Sequence, residues 1–213
     1  MSRIYRCHSQ LNAGPEGPIV NKQPLHIRQG ALDGSCGQSA VQMALILLGA
    51  IDRDELADIG MTRNKALAKM WKRSTAFYFT GTRPKELQSV LAPYRDSITS
   101  RFIKKNQLAD TVSCLADDGL CIVGISNGDF SHWVLAVGAT SADDDVEPDA
   151  LLILDSDAPP ITLTPWNAML SVNGRKGQKH RYVSSAGEAR VVIDNVLTIT
   201  SLIEEMDLEA LAA

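Results

Sequence analysis

Apolar residues crowd one stretch of the chain above all others. From Ser35-Cys36-Gly37-Gln38-Ser39 the sequence runs through Ala40, Val41, Met43, Ala44, Leu45, Ile46, Leu47 and Leu48, with Gln42 the one interruption, and stops at Gly49. A run that is apolar nearly all round predicts a buried helix, with Ser35 as its N-cap and Gly49 as its terminator. Shorter helical patterns follow over 52–59 and 64–71. Thr82-Arg83-Pro84 predicts another helix start, because proline's missing N–H costs nothing in the first turn. A strand is predicted around 99–103 and a helix over about 106–118. Beyond that the apolar runs shorten and become β-branched, at 120–125, 133–137, 151–154 and 191–199, which predicts strands. The first half therefore reads as mainly helical and the second as mainly strand.

The ends and one insertion depart from this pattern. Residues 1–28 carry Gly14-Pro15 and Gly17-Pro18 and no periodic apolar set, so they read as an extended N-terminal arm. Asp143, Asp144, Asp145, Glu147 and Pro148 form a polar insertion between two predicted strands, read as a solvated hairpin loop. At 201–213, Leu202, Ile203, Met206, Leu208 and Leu211 alternate with acidic residues, predicting an amphipathic tail helix that packs on its own domain or docks a protein partner. No repeat or composition break divides 29–200, which reads as one domain.

Charge narrows the function classes. With 25 acidic against 21 basic residues the net charge is −4, which argues against a dedicated nucleic-acid binder. The two short basic clusters, Lys69-Lys72-Arg73 and Arg175-Lys176-Lys179-His180-Arg181, read as solvated surface. No apolar run approaches the ~18 residues a membrane span needs. Arg3 and Arg6 lead into polar Cys7, His8, Ser9 and Gln10 rather than an apolar core, so no secretory signal is read and a cytoplasmic location is expected. In that compartment Cys7, Cys36, Cys114 and Cys121 are expected as free thiols.

Chemistry concentrates between Gln29 and Ala40. A polar, glycine-rich loop delivers Cys36 to the first turn of the buried helix, where unpaired backbone N–H groups stabilise a thiolate. Gly34 and Gly37 leave room for a substrate backbone, and Gln29 lies near enough upstream to aim its amide at an oxyanion. A thiolate mechanism needs a base and a group to orient it. His132, in Asp129-Phe130-Ser131-His132-Trp133-Val134, begins an apolar strand. Asp155 follows Leu151-Leu152-Ile153-Leu154 where the next buried run emerges, with Asp157 as a rival two residues on. Each also has a plainer reading, Cys36 as a core thiol and His132 as a structural histidine. Cys114 and Cys121 read as core thiols, and Cys7-His8 lacks the second pair that a metal site needs. His26 and His180 are not read as the base.

The ordered set of Gln29, Cys36-Gly37 opening an apolar helix, Ser131-His132-Trp133-Val134, and Leu154-Asp155 before a proline-bearing turn resembles the papain-like cysteine peptidases. It is most similar to the bacteriocin-processing branch that cleaves after double-glycine leaders, over roughly residues 29–170. The resemblance implies an α+β papain-like fold in which the nucleophile-bearing helix packs on an antiparallel sheet. It implies Cys36 as nucleophile, His132 as base, Asp155 as orienter and Gln29 as oxyanion donor. Gly34, Gly37 and Trp133 are the candidate substrate contacts, the substrate a peptide or protein, with no metal or other cofactor. The chain departs from that branch in lacking a fused transporter, in a Gln29–Cys36 gap one residue longer, and in Ser156-Asp157-Ala158 standing before Pro159. The same apparatus also suits a deamidase or acyltransferase acting on a partner protein, and a non-catalytic peptide-binding module is the alternative from another class.

Overall fold

The computed structural model describes residues 3–30, 34–143, 147–172 and 179–202. In chain order the strands are β1 (Ile4–Cys7), β2 (Asn12–Gly14), β3 (Gly17–Val20), β4 (Gln23–Pro24), β5 (Ile98–Ile103), β6 (Leu120–Ser126), β7 (Ser131–Ser141), β8 (Ala150–Leu154), β9 (Ala168–Ser171), β10 (His180–Ser184) and β11 (Gly187–Ser201). The helices are α1 (Cys36–Leu47), α2 (Lys65–Thr75), α3 (Pro84–Leu91) and α4 (Gln107–Ala116). The pattern over 52–59 gives two single 3₁₀ turns, Asp54–Leu56 and Ile59–Met61, rather than one helix.

Strands pair antiparallel in the order β7-β6-β11-β10-β9-β8, and β8 pairs back onto β7, so six strands close on themselves. Two long strands make closure possible. The first half of β7 pairs with β6 on one side, its second half pairs with β1 on that same side, and β8 runs along the other. Similarly β11 pairs with β10 near its start and with β5 near its end. Register shifts between Ala136 and Gly138 and between Ile193 and Asn195 bend these strands. Gly138 is required where β1 crosses, because a Cβ there would lie 2.1 Å from the Arg6 carbonyl oxygen.

Alternating side chains feed two cores. Val123, Ile125, Val134, Ala136, Ile153 and Leu170 belong to one, which Val112 and Leu115 of α4 join; Ile122, Trp133, Leu135, Leu152, Leu154 and Leu197 belong to the other, shared with α1. Burial on both faces is why β6 and β8 read as unbroken apolar runs. Helix α1 is buried at every residue but Gln42 and packs on β7 and α3. Gly49, at φ +69°, ends it: its N–H donates to Ile46 (3.0 Å) and that of Ala50 to Leu45 (2.8 Å), a Schellman closure. Ser35 stands at the N-cap position, but its side chain makes no capping bond.

The papain-like α+β architecture expected from the sequence is overturned. The strands form a closed six-stranded antiparallel barrel, and among the described residues α-helix is limited to four short segments around a mostly sheet molecule. The physical reason is edge satisfaction: bending at the bulges lets β8 return to β7, so the sheet hides the backbone edges that an open one leaves free. The N-terminal segment is also more than an extended arm, since β1 joins β7 and β2-β3-β4 make a small antiparallel sheet. Ser201 ends β11, and the predicted tail helix otherwise lies outside the described residues apart from Leu202. Among the described residues no helix is long and apolar enough to cross a membrane.

Candidate active site

Cys36 opens α1, 8% exposed, with no acidic residue in the first turn to oppose a thiolate. The helix start is pressed against the segment from Phe77 to Thr82. A Cβ on Gly37 would lie 2.0 Å from Thr82 Oγ1 and 3.2 Å from both Leu87 and Trp133, and one on Gly34 would lie 2.4 Å from the Gly81 nitrogen. Gly34 therefore accommodates the chain's own backbone and Gly37 its own side chains. Trp133 braces the same place, its indole N–H donating to the Thr82 carbonyl at 2.8 Å.

His132 is the second residue of β7, opposite Ile125 of β6, and Asp155 directly follows β8. Because β7 and β8 pair, the two meet: His132 Nε2 donates to Asp155 Oδ1 at 2.7 Å. The ring also hydrogen-bonds Cys36, and with Nε2 occupied the nitrogen left for the thiol is Nδ1. Burial alone lowers the pKa of His132, but the hydrogen bonds and charges of Asp155 and Cys36 outweigh it and raise the value to about 10. At neutral pH the ring is therefore a cation, set between the Asp155 carboxylate and the Cys36 side chain.

Asp155 is 3% exposed and held on every side. Oδ1 also accepts from the Asp157 N–H (2.8 Å), and Oδ2 accepts from the Tyr182 hydroxyl. Its own N–H donates to Asn167 Oδ1 (2.7 Å), while its carbonyl accepts from Asn167 Nδ2 and His26 Nε2 at 2.8 Å each. Burial pushes its carboxyl up, but the bonds from His132, Tyr182 and the Asp157 N–H prevail and hold it below the usual carboxylate range. Asp155, not Asp157, is thus the residue that contacts His132. Gln29 is tied to the next residue: its N–H donates to the Ser156 carbonyl (3.0 Å), and its Oε1 accepts from Ser156 Oγ (2.9 Å). This leaves Nε2 as a donor with no hydrogen bond among the described residues, on a residue that shares a cavity wall with His132.

Two cavities flank the pair, and Ser131 belongs to the walls of both. One, of about 380 Å³, is bordered by Gln29, Phe130, His132, Asp157, Tyr182 and Glu188. The other, of about 510 Å³, is bordered by Cys36, Phe77, Thr82, Arg83, Glu86 and Trp133.

Sequence reasoning missed Tyr182, Asn167 and the structural part played by His26. Each acts through one hydrogen-bonding group supplied from a distant segment, and such contacts leave no periodic trace. His26 lies on the Asp155 carbonyl, and burial lowers its pKa, so it stays neutral at pH 7. His180 donates through Nδ1 to the Ser171 carbonyl (2.9 Å), and Trp166 stacks on Tyr5 with centroids 5.1 Å apart. The other thiols form no disulfide; that of Cys114 donates to the Leu120 carbonyl (3.6 Å) and that of Cys121 to the Thr111 carbonyl (4.0 Å). Among the described residues no group of three His, Cys, Asp or Glu side chains is arranged to hold a metal ion. Of the polar insertion and the second basic cluster, residues 144–146 and 173–178 lie outside the described residues. No protein-family model matches the chain, and no curated protein matches it.

Proposed function

We propose that this protein is a thiol-dependent hydrolase of peptide bonds, with Cys36 as nucleophile, His132 as general base and acid, and Asp155 as the group that orients His132. The observation that carries the reading is His132 hydrogen-bonded at once to Cys36 and to a buried, ionised Asp155.

The residues divide the reaction among them. The Cys36 thiolate attacks the scissile carbonyl carbon, and the carbonyl π electrons move onto oxygen. That oxyanion is met by the Cys36 N–H and by Gln29 Nε2, the donor left uncommitted by Ser156. As the C–N bond breaks, His132 gives its proton to the departing amine, leaving a thioester on Cys36 and a neutral imidazole. The imidazole then takes a proton from water as its oxygen attacks the thioester, and collapse releases the acid and restores the ion pair. Asp155 keeps Nε2 protonated throughout, so that Nδ1 is the nitrogen that exchanges protons.

The test is a peptidyl epoxide incubated with the wild type, Cys36→Ala and His132→Ala at pH 7, read by intact mass and peptide mapping. The expected result is a single adduct on Cys36, lost in Cys36→Ala and strongly slowed in His132→Ala. Labelling of Cys36 no faster than that of Cys114, or labelling unchanged in His132→Ala, overturns the reading.

A further inference from the structure

We infer that the cavity beside His132 is a subsite for a cationic substrate side chain, arginine or lysine, with the Asp157 carboxylate as its counter-ion. This rests on the hydrolase reading above and names the substrate class it takes.

Charge at the cavity wall selects the ligand. Among the described residues three carboxylates border the cavity, and no lysine or arginine does. Asp155 is committed to His132 and Tyr182. Glu188 holds Arg181 at 2.7 Å. The Asp157 carboxylate has no hydrogen bond or ion pair among the described residues, yet its backbone is fixed, because its N–H donates to Asp155 Oδ1 at 2.8 Å. One exposed carboxylate without a protein counter-ion among the described residues is thus anchored by the residue that contacts His132, in the wall of the cavity that His132 borders. The cation on His132 does not answer it, being matched by Asp155 at 2.7 Å.

Shape agrees with charge. A cavity of about 380 Å³ has room for a long side chain, and Phe130, 37% exposed, offers a ring face to an alkyl stem or guanidinium. The cavity on the Cys36 side differs, since Arg83 and Glu86 both border it and their charges cancel. A substrate with one basic residue is therefore directed to the Asp157 side.

The experiment uses two peptidyl epoxides that differ only in arginine against its neutral isostere citrulline, the residue set on either side of the epoxide in turn. The readout is the rate of Cys36 adduct formation. At one of the two positions the arginine reagent should react about fivefold faster, the contribution of a half-exposed ion pair. Asp157→Asn should bring that ratio within about twofold of unity, and Asp157→Glu should keep most of it. No preference for arginine at either position, or a preference that survives Asp157→Asn, overturns the inference. Failure of the hydrolase reading is seen separately, as iodoacetamide labelling Cys36 no faster than Cys114 in the wild type. In that case NMR titration with the arginine and citrulline peptides reads the subsite directly: tighter binding of the arginine peptide, lost in Asp157→Asn, supports it, and equal binding overturns it.

Discussion

Replacing Asp155 by asparagine keeps the shape of the side chain and removes its charge, which isolates what that charge does to His132. In the wild type the ring's pKa stands at about 10 against an ordinary 6.5. That rise corresponds to about 5 kcal/mol in favour of the imidazolium, shared between Asp155 and Cys36 and already net of the opposing burial. In Asp155→Asn the burial remains while one of the two stabilising partners becomes neutral, so the His132 pKa should fall by several units. His132, raised in the folded state, contributes stability that is fully present below 6.5 and is lost as pH climbs toward 10. Asp155, depressed in the folded state, contributes stability that is present above its ordinary value of 3.8 and is lost as pH falls through its folded value. The pair therefore stabilises most between those limits, and the variant should lose about 2–4 kcal/mol near pH 6, with a smaller deficit above pH 10. Two assays check this. NMR of the His132 ring protons against pH should show titration near 10 in the wild type and at least two units lower in the variant. Chemical denaturation at pH 6 and pH 10 should show the deficit shrinking at the higher pH. A wild-type ring titrating near 6.5, or a variant titrating within half a unit of the wild type, would refute the reasoning.

Three further outcomes follow from the same contacts. Tyr182→Phe removes the hydroxyl that donates to Asp155 Oδ2, so it should cost about 1.5–3 kcal/mol in denaturation at pH 7 and shift the acid limb of the stability profile to higher pH, because that bond helps to keep Asp155 ionised. Asn167→Ala leaves the Asp155 N–H and the Ala158 carbonyl buried and unpaired, takes one of its two partners from the Asp155 carbonyl, and should lower Tm with a loss of about 2–4 kcal/mol. Gly138→Ala sets a methyl group against the Arg6 backbone, which cannot rotate away; faster amide hydrogen exchange over β1, with β6 and β8 still protected, is the expected signature.

The legible parts of this fold are those where burial is one-dimensional. Helix α1 and strands β6, β7, β8 and β11 carry apolar runs long enough to read, and the stop at Gly49 follows from backbone chemistry alone. Closure was not legible, because it depends on which strand β8 returns to and on bends at two register shifts, and neither alters an apolar run. Strands β9 and β10 escaped notice since they bury only Ala168, Leu170 and Tyr182 among half-exposed neighbours. Strands β1 to β4 hid behind the glycines and prolines that make their tight turns. At the site, Cys36, His132 and Asp155 could be picked out because each stands at the boundary of a readable element. Asp155 and Asp157 could not be told apart, being of one type and two residues apart in a turn, and only the 2.7 Å contact distinguishes them. Gly34 and Gly37 call attention to themselves as glycines, but sequence does not say whether a substrate or the chain itself comes close.

The use of β7 by three partners sets an order in time. On the ribosome, β1 emerges early yet its register partners are residues 138–141, and Asp155 receives its Tyr182 bond only when β10 has been made. The strand that joins β10 to β6, β11, comes later still. Pairings this far apart in sequence form slowly. A nascent chain therefore carries Cys36 through much of its synthesis before the His132–Asp155 pair can form, and the full set of bonds around Asp155 is among the last to be made.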